Sequence, residues 1–182
     1  MSLARHLLAA CAVLLVASSP AAAAPFTINV RGSADSFGRV LAIGAFKPER
    51  DPTVGAALDA FGEPSARRRL GNTGCKLAWH GPGVKILFAN FGLGGACEEE
   101  VGRSQTARAY GDRWRTTKGL RVGQRLGRLR GLYPSAIRHS RSWWLVTAVS
   151  PFGDTHRYPV LAATVRGGIV RSFALQIGAA GD

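Results

Sequence analysis

The sequence predicts an α+β protein in which two short helices pack on antiparallel sheet. Its 182 residues include 23 glycines and 9 prolines, which divide the apolar segments into runs of strand length. Two other segments place apolar residues at helical spacing. A third observation is that a helix followed by strands occurs twice along the chain, which indicates a tandem repeat of one helix-then-strands unit.

Residues 1–23 have the order of a secretory signal peptide. Arg5 and His6 form a basic start, Leu7–Ala17 is apolar, and a run of alanines supplies a cleavage site. We expect the cut to leave Ala24 as the new N-terminus. Because the apolar run is about half the length of a bilayer-spanning helix, we expect a secreted mature chain without a transmembrane segment.

A second processing site competes with this one. The segment Leu8-Ala9-Ala10-Cys11 matches a bacterial lipoprotein site, which would leave a lipid on Cys11. The apolar core would then be only Leu7–Ala10, which is too short for a signal peptide. Cleavage at the alanines is therefore favoured. We expect the mature chain in the extracellular space, with the cell envelope as the alternative location.

Residues 24–50 are predicted to form an N-terminal arm. Phe26–Val30 and Arg39–Phe46 are apolar enough for strands, and Arg31–Asp35 between them is a polar linker. Residues 51–117 form the first predicted helix-plus-sheet unit and residues 118–182 the second. The two units are expected to make one compact domain over 51–182.

The first helix is predicted to start at Asp51, which can cap it, with Pro52 at the first helical position. Apolar residues follow at helical spacing: Val54, Ala57, Leu58 and Phe61. Gly62 and Pro64 then end the helix.

Two strands, Cys75–Trp79 and Val84–Phe91, flank a Gly-Pro-Gly turn and predict a β-hairpin. Cys75, Leu77 and Trp79 should share one face of it. The polar stretch from Phe91 to Arg113 is interpreted as a long loop. Trp114–Thr117 is interpreted as a short edge strand.

Two cysteines remain once Cys11 is removed with the leader. In an exported protein an even pair usually forms a disulfide, so Cys75 and Cys97 are predicted to be bonded. No Cys-x-x-Cys spacing suggests a metal site instead.

The second helix is predicted to begin at Leu120 and to end at Tyr133-Pro134. Its apolar stripe is Val122, Leu126, Leu129 and Leu132. A second stripe, Arg121, Arg125 and Arg128, has the spacing i, i+4, i+7 and predicts a basic ridge on the exposed side of this helix.

Three strands follow this helix: Trp143–Val149, Tyr158–Val165 and Ile169–Ile177. A two-residue turn at Gly167-Gly168 would place Arg166 opposite Ile169. Counting outward pairs apolar residues on one side of the sheet: Ala162 with Phe173, Val160 with Leu175, and Tyr158 with Ile177. Since Trp143 and Trp144 are adjacent on a strand, one should be buried and the other can anchor a partner.

The formal charge of +13 comes from 20 Arg and 4 Lys against 11 acidic residues. Eleven of the cations, with a single acid, lie between Arg103 and Arg141, and such a field attracts anions. The candidate binding residues are those at its centre: Arg113, Arg115, Lys118, Arg121, Arg125 and Arg128. The candidate partners are an anionic cell-surface polymer or an acidic protein, since no nucleic-acid recognition motif is present. A solvated, solubilising face is the alternative.

The sequence contains no Gly-x-Ser-x-Gly, His-Glu-x-x-His or phosphate-binding glycine loop. Asp154 and His156 are the nearest approach to a base with an orienting acid, but Asp154-Thr155-His156 lies in a loop where such residues form turns. Glu98–Glu100 lack the alternate spacing of a calcium loop. No cofactor or metal site is therefore predicted.

The near-repeat carries a family resemblance. Val54-Gly55 opens the first helix and Pro64-Ser65-Ala66 follows it, while Val122-Gly123 and Pro134-Ser135-Ala136 stand at the corresponding places of the second. This pattern resembles the tandem helix-plus-sheet units of the β-lactamase inhibitory protein family, and is similar to units of small outer-membrane assembly lipoproteins. Asp51–Pro64, Cys75–Phe91 and Gly119–Asp182 also resemble uncharacterised exported actinobacterial proteins. The resemblance implies the fold and carries no contact residue onto a numbered position here.

These observations favour an exported, non-catalytic binding module of unknown ligand. The first alternative is an extracellular hydrolase whose site the motifs do not show. The second is a binder of polyanions or cell surfaces that acts through the basic residues.

Overall fold

A computed structural model describes residues 26–32, 38–149 and 156–178. The predicted leader, its cleavage at Ala24 and the alternative lipid site at Cys11 lie outside the described residues, as do Asp154 and most of the linker Arg31–Asp35. None of the described helices combines the length and the apolar character that a bilayer span requires.

Eleven strands and two helices make up the described chain. In order they are β1 (Thr27–Arg31), β2 (Arg39–Ile43), α1 (Val54–Phe61), β3 (Ala66–Leu70), β4 (Gly74–Trp79), β5 (Val84–Ala89), β6 (Arg103–Ala109), β7 (Arg115–Thr116), α2 (Leu126–Leu132), β8 (Ile137–His139), β9 (Ser142–Val149), β10 (Arg157–Arg166) and β11 (Ile169–Gln176). The prediction of two short helices with antiparallel sheet is confirmed, although strands predominate.

The larger sheet has eight strands in the order β3-β4-β5-β6-β11-β10-β9-β8, and every neighbouring pair is antiparallel. The strands β6 and β11 meet at its centre, and β3 and β8 are its edges. A smaller sheet, β2-β1-β7, contains the predicted N-terminal strands and pairs β1 with β7 in parallel.

One face of the large sheet carries the core. Trp79, Phe88 and Phe173 are fully buried on it, and Phe61 of α1 packs against Trp79 with ring centroids 5.3 Å apart. From α2, the Arg130 guanidinium lies 5.2 Å above the ring of Trp143. Both helices therefore lie over this face, because Trp79 and Trp143, the side chains that they contact, project from it.

Helix α1 starts later than its sequence predicts. Thr53 is the N-cap, and its hydroxyl accepts a hydrogen bond from the Ala56 N–H at 3.2 Å. The Asp51 carboxylate, which was predicted to cap, accepts the Thr53 N–H at 3.0 Å instead. Hydrogen bonds from the Thr53 side chain and backbone lower the pKa of Asp51. Asp51 therefore orders the turn before the helix rather than its first turn.

The stretch from Phe91 to Arg113 is not a single loop, and that prediction is wrong. It contains β6, which pairs with β5 on one side and β11 on the other. The buried positions of β6 are the small residues Ser104, Ala107 and Ala109, which lie opposite Phe88, Ile86 and Val84 of β5. Large neighbours fill the core here, so the strand lacks the branched residues by which strands are recognised.

The second helix is shorter than predicted. It begins at Leu126 rather than at Leu120, because Gly119 and Gly123 have φ values of +83° and +90°. The backbone of Gly123 instead donates a hydrogen bond to Val170 at 2.8 Å. Leu120 is nevertheless fully buried, as part of the loop that precedes the helix.

The register of the last hairpin differs by one residue from the prediction. Arg166 lies opposite Ile169 as expected, but Thr164 lies opposite Ser172, so Arg171 is the extra residue of a β-bulge. The true partners of Phe173 and Leu175 are therefore Ala163 and Leu161 rather than the predicted Ala162 and Val160. The observed pairing ends at Leu161 opposite Leu175, so it does not include the predicted pair of Tyr158 and Ile177.

The predicted disulfide between Cys75 and Cys97 is confirmed, with the Cα atoms 5.1 Å apart. It joins β4 to the loop between β5 and β6. Of the tryptophans, Trp79, Trp114 and Trp143 are buried and Trp144 is half-buried. Trp143 and Trp144 thus point to opposite faces, as predicted.

Candidate functional site

The second face of the large sheet is covered by neither helix, and we call it the open face. Strand register defines its residues, because side chains directly opposite one another project from the same face. One row crosses all eight strands: Ala66, Ala78, Lys85, Arg108, Ala174, Ala162, Trp144 and Ile137. A second row crosses five: Arg68, Lys76, Leu87, Thr106 and Gln176.

A shallow recess of about 530 Å³ lies between these two rows. Leu87 and the small side chains of Ala162 and Ala174 are among its apolar residues, and its polar ones include Thr106 and Gln176. Three cations complete it: Lys76, Lys85 and Arg108. Its volume falls within the range of small-molecule sites, and its chemistry suits a ligand with both apolar and anionic parts.

Charge on the large sheet has a single sign. Its eight described strands contain eleven Lys and Arg residues and no Asp or Glu. The cations are Arg67, Arg68, Arg69, Lys76, Lys85, Arg103, Arg108, Arg138, Arg157, Arg166 and Arg171. Within the described ranges one ion pair occurs, Arg39 to Glu49 at 2.8 Å, and it lies outside this sheet. The open face therefore produces a positive field.

Two like-charged pairs face each other across strands on the open face. Arg68 lies opposite Lys76, and Lys85 lies opposite Arg108. Like charges in directly opposite positions destabilise a sheet. The face thus concentrates positive charge where strand pairing alone would disfavour it.

Aromatic side chains lie near both ends of the first row. The Lys85 ammonium is 5.1 Å from the ring centre of Tyr110, and burial raises the pKa of that phenol. At the other end Trp144 stacks on His139, with ring centres 3.9 Å apart and planes 9° from parallel. The stack fixes the orientation of Trp144, which is half-buried on the open face.

The basic residues singled out from the sequence lie on other elements. Arg113 donates a 2.6 Å hydrogen bond to the Gly81 carbonyl and covers the ring of Phe26, while Lys118 covers Tyr133. Arg115 is half-buried in β7. These three therefore have structural contacts.

The predicted ridge is not one helical stripe. Arg121 precedes the helix, where its backbone forms an isolated antiparallel β-bridge with that of Arg115. Arg125 is the N-cap of α2, and only Arg128 lies within the helix. All three are exposed. They form a second basic region, on elements that lie against the core face.

Sequence reasoning missed the cations of the open face as a set. Lys76, Lys85 and Arg108 are separated by 9 and 23 positions, and only strand register brings them together. An available signal was the absence of acids from the strand segments.

The candidate catalytic residues are not brought into a site. His156 is exposed just before β10, and Asp154 lies outside the described residues. The Glu98 carboxylate accepts the Gly95 N–H at 2.8 Å and so stabilises its own loop. In the part of the chain that the structure describes, no three His, Cys, Asp or Glu residues are grouped so as to hold a metal ion.

No family model and no curated protein sequence matches the chain. Among solved structures it is similar to an extracellular protein containing a SCP domain from Bacillus anthracis str. Ames, with a TM-score of 0.40 and 9% identity. The match covers 69% of this chain and 43% of that protein, so the chain spans less than half of its length. A likeness of this size carries no inference about activity.

Proposed function

We propose that the protein is an exported, non-catalytic binding module whose open face holds an anionic partner. The observation that carries this proposal is the pair of like-charged cross-strand contacts, Arg68 with Lys76 and Lys85 with Arg108. Such pairs weaken the free protein, and a bound anion would offset their repulsion. The recess that three of these cations line also contains apolar side chains, which supports a partner that buries apolar surface as well.

Export is part of the proposal. It rests on the leader predicted for residues 1–23 and on the Cys75–Cys97 disulfide, a bond that persists in oxidising compartments. Outside the cell, an acidic protein or an anionic cell-surface polymer supplies the negative charge.

We also propose that the chain is a tandem repeat of one helix-then-strands unit. In support, α1 precedes the four strands β3 to β6 and α2 precedes the four strands β8 to β11. The fourth strand of each set lies at the centre of the large sheet, and the outer strands follow in the same order on either side. Each unit thereby contributes four strands to the sheet, and the cations Lys76, Lys85 and Arg108 of the open face belong to the first unit.

The test compares two triple variants with the same change in charge. One replaces Lys76, Lys85 and Arg108 of the open face with glutamine, and the other replaces Arg121, Arg125 and Arg128. Retention on immobilised polyglutamate and polyphosphate is measured as salt rises, because screening shortens electrostatic reach to about 8 Å at physiological ionic strength. We expect the first variant to lose retention and the second to keep most of it.

The same experiment decides against the alternatives. Loss of retention in the Arg121, Arg125 and Arg128 variant alone would identify the second basic region as the binding surface. Retention of the open-face variant equal to that of the unaltered protein would refute the proposal. Thermal unfolding serves as the control, since removing a like-charged pair should leave stability unchanged or raise it by up to about 1 kcal/mol.

A further inference from the structure

We propose that the loop between β5 and β6 is a membrane-contact element that inserts Phe91 and Leu93 into the surface of an anionic phospholipid bilayer. We call these two residues the apolar tip. Phe91 is 69% exposed and Leu93 is 98% exposed. The Leu93 side chain thus has almost no contact within the protein, and together with Phe91 it is available to an apolar medium outside it.

The loop that carries the tip is ordered by its own contacts. The Asn90 side chain donates hydrogen bonds to the carbonyls of Leu93 and Gly94, both at 3.0 Å, and accepts the Gly92 N–H at 3.0 Å. Cys97 then ties the end of the loop to β4 through the disulfide. The exposed side chains are therefore held outward by structure.

These hydrogen bonds also prepare the tip for a medium without water. A backbone N–H or C=O that enters hydrocarbon unpaired carries a large penalty. Here one side chain satisfies three polar groups of the tip backbone, those of Gly92, Leu93 and Gly94. Entry into the apolar layer therefore removes less hydration from the backbone than for an ordinary loop.

A neighbouring loop contributes to the same end of the sheet. The Asn90 N–H donates to the Thr73 carbonyl at 2.9 Å, which joins the loop to the β3–β4 hairpin. Leu70, the last residue of β3, is 38% exposed there, and exposed arginines precede it at positions 67–69. Apolar side chains beside cations match the two layers of an anionic bilayer, the acyl chains and the headgroups.

The convex shape of the tip also favours a bilayer over a protein partner. A protein pocket must be shaped to its occupant, whereas acyl chains adapt to a projecting side chain. Of the acidic run Glu98–Glu100, the Glu98 carboxylate accepts the Gly95 N–H at 2.8 Å and lies next to the tip, whereas the Glu99 carbonyl accepts the Gly55 N–H of α1 at 3.0 Å. Arg69 lines the same small cavity as Glu98, so a cation lies near this acid at the same end of the sheet.

The experiment measures sedimentation of the exported protein with lipid vesicles, after mass spectrometry has shown that all variants share one N-terminus. Vesicles of phosphatidylglycerol are compared with vesicles of phosphatidylcholine. The double variant Phe91→Ser/Leu93→Ser is compared with Ile137→Ser, which alters another exposed apolar residue on the opposite edge strand. We expect the double variant to partition about tenfold or more weakly onto phosphatidylglycerol, and Ile137→Ser to bind like the unaltered protein.

Three results would overturn the inference: no sedimentation of the unaltered protein with phosphatidylglycerol vesicles, equal loss of binding in Ile137→Ser, or vesicle binding that the double variant retains in full. The polyglutamate assay separates this inference from the proposed function. The tip variant should be retained on that matrix like the unaltered protein, so either hypothesis can fail while the other stands.

Discussion

Removal of the Cys75–Cys97 disulfide tests how the loop and the sheet depend on each other. The two residues lie 22 positions apart, and their bond closes a chain segment that contains all of β5. Closing a loop of this length lowers the entropy of the unfolded chain, which corresponds to about 3.4 kcal/mol at 25 °C in the chain-entropy description. Both cysteines are buried, at 0% and 7% exposure, so alanine is the replacement that leaves no unpaired polar group.

We therefore expect Cys75→Ala/Cys97→Ala to reduce the free energy of unfolding by about 3 kcal/mol. Urea unfolding followed by tryptophan fluorescence gives this value, and the m-value should rise because the uncrosslinked chain exposes more surface. The unaltered protein in reductant is the control, and it should lose nearly the same amount. A loss below about 1 kcal/mol would show that residual contacts between the β4 and β5 segments already restrict the unfolded chain, and the chain-entropy reasoning would be wrong.

Two further predictions concern the start of α1 and the N-terminus. Thr53→Ala should lower the free energy of unfolding by about 1 kcal/mol, because it removes the acceptor for the Ala56 N–H; Thr53→Ser should restore most of it in the same urea assay, and equal loss in both would contradict the capping role. N-terminal sequencing of the secreted protein should begin at Ala24 or within one residue of it, whereas a lipid-modified Cys11 would establish the alternative processing.

Local chemistry was sufficient to predict several elements. The β4–β5 hairpin follows from a Gly-Pro-Gly turn between two alternating strands, and Cys75, Leu77 and Trp79 do share the buried face. The disulfide followed from the even number of cysteines that remain if the predicted leader is removed. These predictions hold because the deciding residues are close in sequence or few in number.

The remaining structure depends on contacts that the linear pattern does not contain. Strand β6 is recognisable only beside its large neighbours, because its buried residues are a serine and two alanines. The bulge at Arg171 shifts the strand register of the last hairpin by one residue, and no turn residue in the sequence indicates it. The open face was not predicted for the same reason, since Lys85 and Arg108 come to lie opposite each other only when β5 pairs with β6.

The two edges of the large sheet have a consequence for the protein in concentrated solution. An exposed edge strand offers unpaired backbone groups on which another chain can form fibrils. Strand β3 is exposed along its whole length, but three consecutive arginines repel a second copy brought alongside it. At the opposite edge β8 has three residues, too few for an extended template. The molecule can therefore leave a wide sheet face uncovered and still resist self-association into amyloid-like aggregates.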